Sequence, residues 1–304
     1  MTPETVAVVV VTFNRADLLA RVLAGLAAQT RVPDLVVVVD NASTDHTRDV
    51  LDAAPAGLAL ERVHLDDNTG GAGGFHVGTR TAYERGLDRI WLIDDDVVPA
   101  PDCLAVLMAQ DEACLTSVRE DLSGALVEKA ATRFDLDNPL AIKPKTGMVE
   151  TDYGTRAAMP ERVEVENVAF EGFLVRREVV TRIGLPDPAF FIFYDDADYA
   201  IRARRAGYRI WAVRDAVLVR QLAFDQQHDL AGWKGYYMYR NLFVVHRRYG
   251  ANALVRLKPW LIALVVVLLS PVRGGRGEAG NVVRAARDAR ALAVLSPEAR
   301  PLRR

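Results

Sequence analysis

Cysteine is nearly missing from this chain. Cys103 and Cys114 are the only two in 304 residues, and their separation matches no metal-ligand spacing. A disulfide framework and a zinc site are therefore not expected, and a reducing cytoplasm is the default setting. Long apolar runs are missing too. The longest, residues 260–269, holds ten residues between Pro259 and Pro271, against the roughly 20 that a bilayer-spanning helix needs. The N-terminus shows no basic segment followed by an apolar stretch and a small-residue cleavage site, so no secretory leader is expected. No repeat or low-complexity segment occurs. A dinucleotide fingerprint is incomplete: counted from Gly71, the last glycine of G-x-G-x-x-G falls on His76. The stretch also follows the third predicted strand rather than the first, which argues against an NAD site.

Net charge is nearly absent at −2, but its distribution is uneven. From Asn241 onward there are twelve Arg and Lys against three Asp and Glu; residues 1–240 hold 26 basic and 37 acidic side chains. An acidic body with a basic tail suits a tail that lies beside an anionic surface. Residues 284–290 are basic without any recognised nucleic-acid-binding motif, so no nucleic acid partner is expected.

The elements alternate. Residues 6–11 form a nearly unbroken β-branched run, the mark of a parallel strand covered on both faces. Leu18, Leu19, Val22, Leu23 and Leu26 follow at helical spacing, and Pro33 bounds that helix. Residues 35–39 read as a second strand and 58–65 as a third. A glycine-rich stretch, residues 70–74, then precedes a helix through Gly86 and a strand over 90–93. The glycines suit either close approach by a ligand or a tight connection. This order predicts an α/β fold, a mostly parallel sheet flanked by helices. In such sheets ligands bind outside the carboxyl ends of the strands. Asn14, Arg15, Asp40, Asn41 and residues 94–96 all fall there. Asp40 either accepts hydrogen bonds from a ribose or base, or caps a turn. Arg15 either meets a phosphate or is the first exposed residue of its helix.

Asp94, Asp95 and Asp96 end the fourth strand directly after four apolar residues. Three adjacent carboxylates repel one another unless a cation sits among them. Alternate side chains of an extended chain share a face, so Asp94 and Asp96 converge on one hard divalent ion while Asp95 points away. A solvated acidic turn is the alternative. Residues 121–160 are polar and irregular, read as loops and short strands over the sheet. A second acidic constellation follows an apolar segment, residues 190–194, read as a strand. It comprises Asp195, Asp196 and Asp198. Asp195 or Asp196 caps the helix that follows, and capping accounts for one acid of the three.

These stretches together resemble the inverting family 2 glycosyltransferases of the GT-A fold. The likeness rests on Thr12-Phe13-Asn14-Arg15, Val39-Asp40-Asn41-Ala42-Ser43, Asn68 through Phe75, Asp94-Asp95-Asp96, Tyr194 through Tyr199 and Arg204-Arg205-Ala206-Gly207-Tyr208. The glycine loop and the Tyr-Asp-Asp-Ala-Asp-Tyr segment most resemble the actinobacterial galactofuranosyltransferases, with bacterial rhamnosyltransferases next. The resemblance implies Asp196 as the catalytic base, with Asp195 as a secondary catalytic or orienting residue. It implies Mg2+ or Mn2+ on Asp94 and Asp96, and Asp40 against the base of the donor nucleotide. Thr12, Asn14, Arg15, Asn68, Gly73, Asp95 and Arg220 complete the implied donor site. One departure stands out. The family often carries a metal-ligating His near the position that Arg220 occupies here. His228 either substitutes for it or is an exposed loop residue, and Arg220 on the diphosphate would reduce the need for a metal.

The C-terminal part reads separately. Residues 233–249 are aromatic and basic and predict a helix docked on the catalytic domain of residues 1–250. Residues 251–304 predict a helical basic appendage. Its apolar run with basic flanks lies in a membrane interface, packs in the core, or forms a dimer contact. The function expected is transfer of a sugar from a nucleotide sugar, galactofuranose from UDP-galactofuranose first and rhamnose from dTDP-rhamnose second. The expected acceptor is a lipid-linked glycan at the cytoplasmic membrane face, in cell-envelope polysaccharide synthesis. A sugar-1-phosphate nucleotidyltransferase and a non-catalytic membrane-associated module are the rival classes. The nucleotidyltransferase would need neither the Asp195-Asp196 pair nor the basic tail, and the module would keep the fold without turnover.

Overall fold

The structure is a computed structural model that describes residues 4–141, 143–222, 230–270, 272 and 275–302. The first half alternates as the periodicity predicts: β1 (Val6–Thr12), α1 (Ala16–Ala27), β2 (Leu35–Asp40), α2 (Thr47–Asp52), β3 (Leu60–His64), α3 (Gly70–Glu84) and β4 (Arg89–Asp94). β1 pairs in parallel with β2 and β4, and β2 with β3. The valine run of β1 is buried on both faces because helices cover both. Val6, Val8 and Val10 pack with Leu19, Val22, Leu23 and Leu26 of α1; Ala7, Val9 and Val11 pack with Phe75 and Ala82 of α3.

The glycine-rich stretch is part of α3 rather than a loop before it. A Cβ on Gly74 would lie 2.4 Å from Val11 Cγ1, so glycine lets the helix lie directly on β1. α1 stops at Ala27, six residues before Pro33.

The second half comprises β5 (Val97–Pro99), α4 (Cys103–Met108), β6 (Cys114–Glu120), β7 (Arg133–Phe134), β8 (Lys145–Gly147), α5 (Val149–Tyr153), β9 (Arg162–Val165), β10 (Phe173–Arg176), α6 (Arg177–Ile183), α7 (Asp195–Arg205) and β11 (Ile210–Arg220). The main sheet runs β3-β2-β1-β4-β10-β6-β11-β5, with β9 on β11. β10 is antiparallel to β4 and β6, whereas β6 and β11 run parallel. The carboxyl ends of β1, β2, β4, β6 and β11 therefore share one edge with the amino end of β10. Residues 190–194 are not a strand. Phe191, Phe193 and Tyr194 adopt left-handed conformations, which break any ladder.

α8 (Trp233–Tyr249), α9 (Ala253–Leu269) and α10 (Gly275–Asp288) pack together and against Phe190, Ala197 and Ile201 in a third apolar cluster. α9 starts earlier than the apolar run, at a cap where Asn252 Oδ1 accepts from Val255 N at 3.0 Å, and it carries Pro259 inside it. Among the described residues no helix is long and apolar enough to cross a membrane. Both cysteines are free and buried.

Candidate active site

β4 delivers the acidic triplet to the shared edge. Thr12 Oγ1, at the end of β1, donates to Asp95 Oδ2 at 2.8 Å, and Arg15 Nη1 donates to Asp95 Oδ1 at 2.9 Å. Asp95 is thus turned onto β1 and neutralised there. Arg15 Nη1 also reaches Asp96 Oδ2 at 3.2 Å. Asp96 Oδ1 is buried and has no hydrogen-bond partner among the described residues.

Glu171 joins this cluster from across the sheet. Phe173 lies opposite Leu92 in the antiparallel ladder, which sets Glu171 against Asp94. Burial and then Glu171 push the Asp94 carboxyl well above the usual carboxylate range, with Arg15 opposing. The same two causes raise Asp96. Burial also pushes Glu171 upward, but Arg119 Nη1 at 2.5 Å and Arg220 Nη2 at 3.6 Å outweigh it and hold Glu171 low. Glu171 therefore stays charged and works against Asp94 and Asp96.

Among the described residues no group of three or more His, Cys, Asp and Glu side chains is arranged to hold a metal ion. Two carboxylates, one with an unspent buried oxygen, suit a hard cation that takes its other ligands from a diphosphate and water. His228 lies outside the described residues.

The second acidic group sits on the first turn of α7. The helix is capped not by an aspartate but by Tyr194, at φ 66°, with no side-chain cap bond. Asp195 and Asp196 follow inside the first turn, and Asp196 Oδ1 accepts from Ala197 N at 2.6 Å. Burial raises Asp196 above the usual range, and Lys145 of β8 partly offsets this. Burial and then Asp196 raise Asp195 further. Asp198 faces away: it is fully buried and bonded to Arg202 Nε at 2.8 Å, Arg248 Nη1 at 2.9 Å and Tyr249 Oη at 2.6 Å. The charges of Glu171 and Arg119 act on both Asp96 and Asp196.

The remaining candidates form the rim at β1 and β2. Asn14 Oδ1 accepts from Thr44 N at 2.7 Å. Asp40 is buried, and its carboxylate accepts from Ser43 N at 2.9 Å and meets His64 Nδ1 at 3.1 Å. Asn68 Oδ1 accepts from Gly70 N at 2.8 Å. Gly73 is buried inside α3, where a Cβ would strike Thr69.

The model of the glycosyltransferase-like family 2 matches residues 3–232. The chain belongs to that family. It is similar to galactofuranosyltransferase GlfT1 of Mycobacterium tuberculosis, 32% identical over 229 residues, covering 73% of this chain and 72% of the relative. It is also similar to the dTDP-rhamnosyl transferase RfbF of Shigella flexneri, 23% identical over 242 residues and 76% of each chain. In fold it resembles a mannosyltransferase from Pyrobaculum calidifontis solved with GDP-Man and Mn2+. That likeness has a TM-score of 0.55 at 22% identity, over 98% of this chain and 80% of that one.

In this glycosyltransferase the segment that leads into the α7 acids is held by Arg240 and Asn241 of α8. Asn241, fully buried on α8, donates through Nδ2 to the carbonyls of Phe190, Ile192 and Phe193 at 2.9, 2.7 and 2.9 Å. Arg240 Nη2 donates to the carbonyls of Ala189 and Phe190, both at 2.7 Å, and Arg240 Nε to Asn241 Oδ1 at 2.8 Å. Ala72 N donates to Phe191 O at 3.1 Å, and Gly70, at φ 73°, leaves room for that carbonyl. Left-handed non-glycine residues cost roughly 1–3 kcal/mol each and persist only where the surroundings enforce them. Here α8 and α3 enforce three. The clue in the sequence was a polar Arg-Asn pair in the middle of an aromatic and basic helix. Asn241→Ala is expected to lower turnover roughly 100-fold, the scale of an ångström's misplacement, with donor affinity near the parent value. Steady-state rates and donor titration check this; an unchanged turnover number would remove the clamp's role.

Proposed function

We propose that the enzyme transfers galactofuranose from UDP-galactofuranose to a lipid-linked glycan, with inversion, in cell-envelope polysaccharide synthesis. One observation supports the reaction above the others: Asp96 of the triplet that ends β4 and Asp196 on the first turn of α7 both lie within the field of the same Glu171 and Arg119. One acidic group serves the donor and the other the acceptor. The galactofuranosyl donor is supported by the GlfT1 likeness.

Asp196 takes the proton of the acceptor hydroxyl as its oxygen attacks the anomeric carbon. Asp195 shares the first turn of α7 and, by its charge, favours the state in which the pair holds one proton. Arg15 fixes Asp95 and Asp96, and Arg220 adds positive charge at the diphosphate end of the cleft. Asp94 and Asp96 would hold Mg2+ or Mn2+, whose charge stabilises the leaving diphosphate when bound. Thr12, Asn14, Asp40 and Asn68 shape the nucleotide end. The exposed apolar face of α9 rests on the cytoplasmic membrane surface, where a lipid-linked acceptor is found.

Incubation with a lipid-linked glycan and UDP-galactofuranose is expected to release UDP and extend the glycan by galactofuranose. Extension from dTDP-rhamnose instead would shift the assignment to rhamnosyl transfer. Nucleotide exchange without extension would replace the reaction class.

A further inference from the structure

α9 buries one face against α8 and α10 and leaves the other bare. Leu254, Leu257, Leu261, Leu264 and Leu268 are each more than half exposed, and their spacing of three and four gathers them into one stripe. Trp260 sits at the edge of that stripe, 39% exposed. Two guanidinium groups lie on its indole: Arg247 of α8 at 5.5 Å from the ring centroid, and Arg290, just past α10, at 4.5 Å.

Arg247 Nε and Nη2 are buried and have no hydrogen-bond partner among the described residues. Neither arginine forms an ion pair among the described residues, and the charge acting on Arg247 is that of Arg290. Two like charges share one aromatic platform with buried donors unspent. An anion placed between the two guanidinium groups relieves their repulsion. Planar guanidinium forks match phosphate oxygens in particular. Beside a stripe of bare leucines, a phosphate that arrives with acyl chains satisfies both features at once. Trp at the junction of a polar and an apolar layer is the usual anchor there.

We propose that Arg247, Trp260 and Arg290 form a binding site for the phosphate of an anionic membrane phospholipid, with the leucine stripe of α9 entering the acyl layer. The proposal deepens the membrane reading of the proposed function and rests on it. The site holds the headgroup and sets the depth and orientation of the helix, so that the cleft meets an acceptor anchored in the same layer.

The test uses the full chain and sedimentation with phosphatidylglycerol vesicles at low salt. The double variant Arg247→Gln/Arg290→Gln is expected to lose affinity by roughly 10- to 30-fold, about the worth of two basic side chains at an anionic surface. Its transfer to a short water-soluble acceptor should equal that of the parent. Quenching of Trp260 by brominated acyl chains, read as the part lost in Trp260→Phe, should fall with it. Arg247→Lys/Arg290→Lys keeps the charge and guards against misfolding; it should bind better than the Gln pair and worse than the parent. Undiminished vesicle binding by the Gln pair overturns the site and leaves membrane association standing. A parent chain that ignores vesicles overturns both. Equal protection of the parent by millimolar inorganic phosphate alone would make it a free-anion site, not a lipid site.

Discussion

Asp196→Asn is expected to remove turnover while the affinity for the donor stays near that of the parent. An acceptor hydroxyl is a poor nucleophile at neutral pH, and loss of a general base costs roughly 100- to 10,000-fold in rate. Asn keeps the acceptor oxygen that Ala197 N reaches, so the first turn of α7 should persist. Burial raises Asp196, and a raised carboxyl needs a higher pH to become a base. The acid limb of the parent's pH–rate profile should therefore lie above the usual carboxylate range. Activity should fall as pH drops through that raised value.

The same shift fixes the sign for stability. A carboxyl whose folded value exceeds its unfolded value costs stability above the folded value, and the cost disappears as pH falls below the unfolded one. Asp196→Asn should melt no lower than the parent at pH 8, as expected where function holds a charge in a dry site. Rate profiles and melts across pH 4 to 9 check both. Near-normal transfer by Asp196→Asn would make Asp195 the next candidate.

The parallel half of the sheet was legible because its signals are local. A nearly unbroken β-branched run covered on both faces defines β1 without any distant partner, and the acid triplet marks the end of β4 by its abrupt change of polarity. Glu171 was not legible. Its place opposite Asp94 depends on β10 running antiparallel between β4 and β6, which no short window encodes. Lys145 reaches the field of Asp196 from a three-residue strand in a stretch of loops.

Residues 190–194 misled for a related reason. Five apolar residues in a row carry strand propensity, yet side-chain and backbone clamps from α8 and α3 hold three of them in left-handed bends. The residue that supplies the most bonds, Asn241, lies about fifty positions downstream. Arg15 was placed at the correct edge, but its nearest partners are Asp95 and Asp96, not only a ligand. Tertiary pairing decided each of these points over local preference.

Asp94→Asn and Asp96→Asn are expected to abolish transfer and to uncouple donor binding from divalent metal. Asp94 is repelled by Glu171 and Asp96, and Asp96 keeps a buried oxygen unspent. A cation is the group that relieves both. Stabilising the leaving diphosphate is worth several kcal/mol, hence roughly 100- to 1,000-fold in rate. Asp95 is different. Thr12 and Arg15 already satisfy it, so Asp95→Asn should act through the seating of Arg15, with a smaller loss of rate.

Calorimetry gives a readout beside activity. Mg2+ or Mn2+ should tighten binding of UDP to the parent and to Asp95→Asn, and leave binding to Asp94→Asn and Asp96→Asn unchanged. Removing one charge from the repelling group should also raise the melting temperature of the metal-free protein for Asp94→Asn. Equal and mild losses in all three variants, with metal-independent UDP binding in the parent, would reduce the triplet to a solvated turn. Arg15, Arg119 and Arg220 would then be left to neutralise the diphosphate.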